Sequence, residues 1–171
     1  YTFAPNIYQY HIFFFFFLFS FTQPKNEAVY SYAPASKERE LLKQELEKQY
    51  NQCIEIPIII NGKEIKTGNC ADVVMPTEHS HVLAKFHKAD KETVQQAIEA
   101  ALEARKKWEN VHWIDRCSIM LKAAELLAGK YRYVINASTM LGQGKNPFQA
   151  EIDSACETID FLRFNVHYAS K

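Results

Sequence analysis

From Asp90 to Lys171 the sequence sets one amphipathic helix after another and offers hardly any strand to lay them on. Val94, Ala97, Ile98, Ala101, Leu102 and Trp108 follow the i, i+3, i+4, i+7, i+8 spacing that gathers apolar side chains on one buried face, and Asp90 is placed to cap that helix. A second helix is predicted from Asp115, with Ile119, Leu121, Ala124 and Leu127 apolar and Gly129 as the left-handed residue that ends it. A third runs from about Tyr131 to Leu141 and stops at Gly142-Gln143-Gly144. The fourth opens at Asn146-Pro147, where Pro suits the first helical position and Gln149 completes a capping box. Its apolar face carries Ile152, Cys156, Ile159, Leu162 and Val166. Burying each larger aliphatic would contribute about 1.5–3 kcal/mol, so these faces require a layer to cover.

The preceding third supplies little of that layer. Residues 36–51 read as a surface helix, with Ser36 as cap and Leu41, Leu42, Leu46 and Tyr50 along a narrow stripe among charges. Ile58, Ile59 and Ile60 lead to Asn61-Gly62, the dipeptide suited to a type I′ turn, and predict a β-hairpin over roughly 56–67. A second extended pair, Ala71 to Met75 and Val82 to Lys88, is expected around a turn at Pro76-Thr77-Glu78-His79-Ser80. The fold class is α/β: short hairpins followed by about four amphipathic helices, with most of the parallel sheet they are made to cover lying beyond residues 24–171. The alternative is a self-contained α+β domain whose helices pack on one another.

Residues 13–21, FFFFFLFSF, stand apart. The apolar run from Ile12 to Phe21 is about half the roughly 20 residues that span a bilayer, and the first 24 residues carry no Lys or Arg to orient an insertion. Neither a secretory signal nor an Arg-rich mitochondrial presequence fits. Residues 1–23 are expected to be a non-native or disordered leader, a translated intron end, because Phe, Leu and Ser share pyrimidine-only codons. A hydrophobic anchor is the competing reading.

Twenty Lys and Arg balance twenty Asp and Glu, so no long-range field steers the chain to nucleic acid or to an anionic membrane, and neither partner is expected. Cys53, Cys70, Cys117 and Cys156 form no C-x-x-C pair, which argues against a zinc knuckle or a disulfide framework and for a reducing compartment. Cys117 and Cys156 lie on or beside helical apolar faces and read as small hydrophobes. Gly142-Gln143-Gly144-Lys145 lacks the spacing, the strand and the Ser or Thr of a phosphate loop and reads as a turn between helices. Glu78, His79 and His81 offer at most two or three metal ligands without support behind them, so no metal is expected. Glu151, Asp153, Glu157 and Asp160 read on these rules as a solvated helical face, with Glu151 compensating the helix N-terminus.

One resemblance goes further. The runs MPTEHSHVLAKFHKAD, AIEAALEARKKWE, DRCSIMLKAAELLAGKYR and GQGKNPFQAEIDSACETIDFLRFNVHYAS closely resemble the aldehyde dehydrogenase superfamily over about Lys25 to Lys171. Within it, the blocks QAEID and IDFLRFN are similar to the delta-1-pyrroline-5-carboxylate dehydrogenase branch. The resemblance implies that residues 24–171 are the N-terminal portion of an NAD-binding domain. It implies an enzyme that oxidises glutamate γ-semialdehyde to glutamate with NAD in proline breakdown, homo-oligomeric, in the mitochondrial matrix of a eukaryote. In the family a cysteine attacks the aldehyde, an oxyanion is held by backbone and Asn donors, hydride passes to the nicotinamide, and a glutamate activates water. The matched region carries no counterpart of that cysteine, that glutamate, that asparagine or the NAD loop, so this chain alone is expected to be inactive.

What carries over is small. Glu151 matches the AEID glutamate and is expected near the aldehyde pocket, and Phe164 and Asn165 belong to the same signature and are expected to support it. Glu151→Ala in a complete enzyme is expected to impair turnover with the fold intact. The strands before Asp90 resemble the family's subunit-contact region. The second reading is a non-catalytic short isoform that associates with full-length subunits through its helical faces and strands.

Overall fold

The computed structural model describes residues 21–171. The Phe-rich run and the leader expected over 1–23 lie, up to residue 20, outside the described residues. Residues 21–33 have no regular secondary structure and run as an arm toward α1 (Lys37–Tyr50). Ser36 caps α1 by accepting from the Arg39 N–H at 3.3 Å. Leu42 is buried and Leu46 half-buried, so the predicted stripe faces the body.

Three short strands follow: β1 (Ile54–Ile56), β2 (Ile58–Ile60) and β3 (Lys63–Ile65). β2 and β3 form the predicted hairpin, with Asn61 at φ +51° and Gly62 at φ +74°, the left-handed pair a type I′ turn requires. The hairpin is shorter than expected at its start. Ile54–Ile56 leaves it and pairs parallel with β5 (Glu78–His87). Pro57 explains the split: it has no N–H to give a ladder and its fixed φ turns the chain between the two sheets. β4 (Cys70–Met75) lies antiparallel on the other side of β5, giving the order β1-β5-β4. The turn before β5 is only Pro76-Thr77, because Met75 already faces Glu78; Val74 faces Val82, so residues 79–81 bulge from the ladder instead of forming the loop expected there.

Four helical runs complete the chain, as the periodicity predicts. α2 (Lys91–Trp108) is capped by Asp90, whose carboxylate accepts from the Thr93 N–H at 2.8 Å and its hydroxyl at 2.6 Å. The buried face expected of α2 is uncovered among the described residues: Val94 is 49% exposed, Ile98 49% and Leu102 57%. α3 (Trp113–Ala128) starts two residues before Asp115, because His112 Nδ1 accepts from the Ile114 N–H at 3.4 Å and serves as the cap. Gly129 is not left-handed. Its φ is −107°, and the link turns straight into α4 (Arg132–Gln143), with Tyr131 N–H donating to Leu126 O at 2.9 Å. Gly144 holds the left-handed position instead, at φ +67° and ψ +23°.

The last run is not one continuous α-helix. α5 (Pro147–Ala150), with the predicted capping box at Asn146 and Gln149, passes into a π-helical turn over Glu151–Cys156 and then α6 (Glu157–Ala169). Two small cores hold these parts. Tyr32 of the arm, Leu42 of α1 and Ala137 of α4 form one, with Tyr30, Leu46, Tyr133 and Met140 around them. Ala124 of α3 and Ala155 and Ile159 of the last run form the other, flanked by Leu127, Ala128, Ile135 and Leu162. The alanines let the helices approach closely, so the last run packs against α3 and α4. The face of α2 is left uncovered among the described residues. Among the described residues no helix is long and apolar enough to cross a membrane.

Candidate functional site

The π-turn is where the candidate residues become interesting. It starts at Glu151, and its i→i+5 bonding brings Glu151 and Cys156 onto one side of the run, facing Arg132 at the start of α4. Glu151 is not on a solvated face: it is fully buried, as is Arg132. Arg132 Nη2 and Nε both donate to Oε1, the latter at 3.2 Å. The Tyr30 N–H adds a bond to Oε1 at 2.8 Å. Oε2 accepts from the Tyr32 hydroxyl at 2.7 Å and from Asn136 Nδ2 at 2.8 Å. Arg132 and Asn136 are i and i+4 on α4, hence on one face of it.

The network ties the arm to the body. Arg132 Nη1 donates to Glu27 Oε1 at 2.6 Å and Nη2 to the Ala28 carbonyl at 2.5 Å, while its guanidinium lies 3.9 Å from the centroid of the Tyr30 ring. Arg163 of α6 takes the other Glu27 oxygen at 2.5 Å, and Asp160 accepts from the Glu27 N–H at 2.7 Å and from Asn26 at 2.8 Å. Tyr32 itself sits at φ +50°, a backbone that disfavours a large side chain and is held here by burial and by its hydroxyl bond.

Charge states follow from these contacts. Burial works against a charge on Glu151, yet the bonds from Arg132, Tyr32 and the Tyr30 N–H hold its carboxyl below the usual range. Burial also opposes the Arg132 charge, and the Glu151 and Glu27 carboxylates outweigh it and raise the guanidinium further. The Tyr32 hydroxyl is pushed up, first by burial and then by Glu151. Burial, followed by Glu151, pushes the Cys156 thiol up to about 11, which leaves it a poor nucleophile at neutral pH.

The enclosure corrects the expectation that Glu151→Ala would leave the fold intact: it would strand a buried guanidinium. The gentler Glu151→Gln, which keeps shape but not charge, is expected to lower stability at pH 7 by roughly 1.5–3 kcal/mol. A carboxylate held below its free value, about 4.3, contributes stability that is complete above that pH and is lost as pH falls through its own lower value. Urea midpoints from pH 7 down to 3 are therefore expected to fall more steeply in the parent than in Glu151→Gln. Equal slopes would show that the carboxylate does not carry the linkage.

The other two candidates are not brought to this hub. Phe164 is half-buried and Asn165 exposed, about 20 Å further along the helical run at 1.5 Å per residue. Asn165 instead lines a groove of about 430 Å³ with Trp108, Trp113, Cys117, Met120 and Leu162. The remaining acidic residues divide: Asp153 pairs with Lys145 at 2.7 Å, and Asp160 holds the arm. The Gly142–Lys145 stretch is the turn expected of it. Around the β4–β5 turn, His81 Nε2 is 2.9 Å from the Tyr50 carbonyl with the two rings stacked at 4.0 Å, and Glu78 accepts from the Tyr50 hydroxyl at 3.0 Å.

Sequence reasoning missed Arg132, Asn136, Tyr32 and Glu27. The available signal was the pair Arg132 and Asn136 on the apolar face of a helix adjoining a first-turn glutamate, since a buried cation and a buried carboxylate require one another.

Comparison with known proteins places this architecture. Residues 63–171 match the profile described as the aldehyde dehydrogenase family. The delta-1-pyrroline-5-carboxylate dehydrogenase of Agaricus bisporus is 48% identical over 147 residues, 85% of this chain and 27% of that protein. The human delta-1-pyrroline-5-carboxylate dehydrogenase, mitochondrial, is 45% identical over 144 residues, 84% of this chain and 26% of that protein. Among solved structures, the Mycobacterium tuberculosis delta-pyrroline-5-carboxylate dehydrogenase bound with NAD superposes with a TM-score of 0.87 at 41% identity, over 89% of this chain and 29% of that one. The chain spans about a quarter of the length of the curated relatives it matches.

Proposed function

The chain belongs to the aldehyde dehydrogenase family, and from that premise we propose that it is the N-terminal part of a 1-pyrroline-5-carboxylate dehydrogenase, an enzyme that oxidises glutamate γ-semialdehyde to glutamate with NAD in proline breakdown. The observation that carries this reading is the identity of 41% at a TM-score of 0.87 to an enzyme of that name across nearly nine-tenths of the chain. In this reading the complete protein is a homo-oligomer of the mitochondrial matrix; the names of the human and Dictyostelium discoideum relatives support a mitochondrial location.

NAD, when bound, takes up the hydride. The described residues do not form its cradle. The N-termini of α1, α2, α3 and α5 are closed by Ser36, Asp90, His112 and Asn146, and at Asp90 the capping carboxylate would repel a pyrophosphate; α4 has no side-chain cap, but its first residue, Arg132, is buried against the Glu151 carboxylate. The glycines at positive φ, Gly62, Gly68 and Gly144, lie at a hairpin tip, between strands and at a helix end, none between a parallel strand and the helix it feeds.

What this segment contributes is placement. Glu151 acts as a positioning residue, whose enclosed carboxylate fixes the arm, α4 and the last helical run as one body beside the aldehyde pocket. Phe164 and Asn165 are open enough to face that pocket directly. The exposed face of α2, with Val94, Ile98 and Leu102, is covered by the larger part of the enzyme.

Sequencing the full transcript in both directions tests the reading. A frame that continues past Lys171 into an NAD loop and a catalytic cysteine is the expected result. A stop codon directly after Lys171 in an abundant mature message would overturn it in favour of a non-catalytic module that binds full-length subunits.

A further inference from the structure

Cys70 and His87 are register partners across β4 and β5, at the end of the sheet away from its turn. Cys70 Sγ lies 3.4 Å from His87 Nδ1. The other ring nitrogen, Nε2, lies 2.9 Å from Glu55 Oε1 on β1, the strand on the far side of β5. Glu55 Oε2 in turn accepts from Lys66 Nζ at 2.5 Å. The imidazole is only 3% exposed, whereas Cys70 is exposed among the described residues. Three strands thus deliver a nucleophile, a base and a carboxylate that orients the base, the relation that activates a cysteine.

The hydrogen bonds fix the form of the ring. The Gly68 N–H donates to Nδ1 at 3.2 Å, which puts a lone pair there and the ring proton on Nε2, directed at Glu55. Lys66 first and His87 second hold the Glu55 carboxyl below its usual range, so it is ionised at neutral pH. The Cys70 thiol shares that one lone pair with the Gly68 N–H, so taking the thiol proton breaks the Gly68 bond, and the imidazolium that forms finds a carboxylate on its far side. The Glu151 hub uses none of these groups.

We propose that Cys70 is a thiol-exchange site, at which small disulfides such as glutathione disulfide are attacked with His87 as the base. The Sγ proton passes to His87 Nδ1, and the thiolate attacks one sulfur of the disulfide. A Cys70 S–S bond forms as the reagent's S–S bond breaks, and the departing thiolate takes the proton back from His87. One disulfide is lost and one is made, so no other oxidant is required. Cys53 is the internal control: it is also exposed, beside β1, but no imidazole lies within hydrogen-bond reach of it among the described residues.

The test uses the complete protein that contains this chain, treated with limiting glutathione disulfide and mapped by mass spectrometry of its peptides at several pH values. Cys70 is expected to acquire glutathione at least about tenfold faster than Cys53 at pH 7. His87→Gln is expected to bring the Cys70 rate down to that of Cys53. Glu55→Gln changes a half-exposed carboxylate without emptying the core, so it remains informative if the His87 variant misfolds; it is expected to slow Cys70 about threefold or more and to move the midpoint of its pH profile. Equal rates at Cys70 and Cys53, or a Cys70 rate that Glu55→Gln leaves unchanged, would overturn the proposal.

Discussion

Replacing Arg132 with alanine is expected to release residues 24–35 from the helical body and to destabilise the folded protein by about 3–5 kcal/mol. The size follows from what the side chain holds together. Its three nitrogens reach Glu151, Glu27 and the Ala28 carbonyl, and its plane stacks on Tyr30. Without it the Glu151 carboxylate stays buried with neutral donors alone, and a buried charge stripped of its partner is more damaging than a missing apolar contact. Arg132→Lys is expected to recover little, because one ammonium cannot reach the acceptors that a planar guanidinium spans. Urea unfolding and limited proteolysis of the arm measure the two consequences. A midpoint within error of the parent, with the arm equally resistant, would mean that the network is decoration.

The second large effect is a change of sign with context. Leu102 is 57% exposed on α2, in line with Val94 and Ile98. If the rest of the enzyme covers this face, Leu102→Asp in the complete protein places an unpaired charge in a core and is expected to destabilise it by roughly 3 kcal/mol. In the isolated chain the same substitution is expected to be neutral for unfolding and to reduce self-association, since it interrupts an exposed apolar patch. Thermal unfolding of the first and light scattering of the second decide the matter. A small effect in both settings would show that α2 is a free surface.

These two residues also mark how far the sequence could be read. The 3.6-residue period located α2 and its apolar face without ambiguity, because period and capping are local properties. Whether that face is covered depends on chain outside the helix, and periodicity carries no information about it. The hairpin at Asn61-Gly62 was legible for the same local reason. The departure of Ile54–Ile56 to pair with β5 was not, although Pro57 in an otherwise uniform β-branched run was the available warning. The π-turn at Glu151–Cys156 left no trace in the pattern of apolar residues, since Ile152, Cys156 and Ile159 keep the i, i+4, i+7 spacing of an ordinary α-helix. At the site, the first-turn position of Glu151 pointed to a solvated, dipole-compensating carboxylate. Its burial is set by Arg132, nineteen residues earlier in the chain, and by the arm more than a hundred residues away, contacts that no local rule encodes. The AEID block drew attention to Glu151 only through resemblance to a family.

The central claim, that this segment belongs to a 1-pyrroline-5-carboxylate dehydrogenase, is tested most directly by following NADH formation when the complete protein that contains it is given 1-pyrroline-5-carboxylate and NAD. Steady NADH production, with kcat/KM well above that for a short aliphatic aldehyde, is the predicted result. Turnover of the short aldehyde without turnover of the semialdehyde would keep the family and contradict the assignment within it.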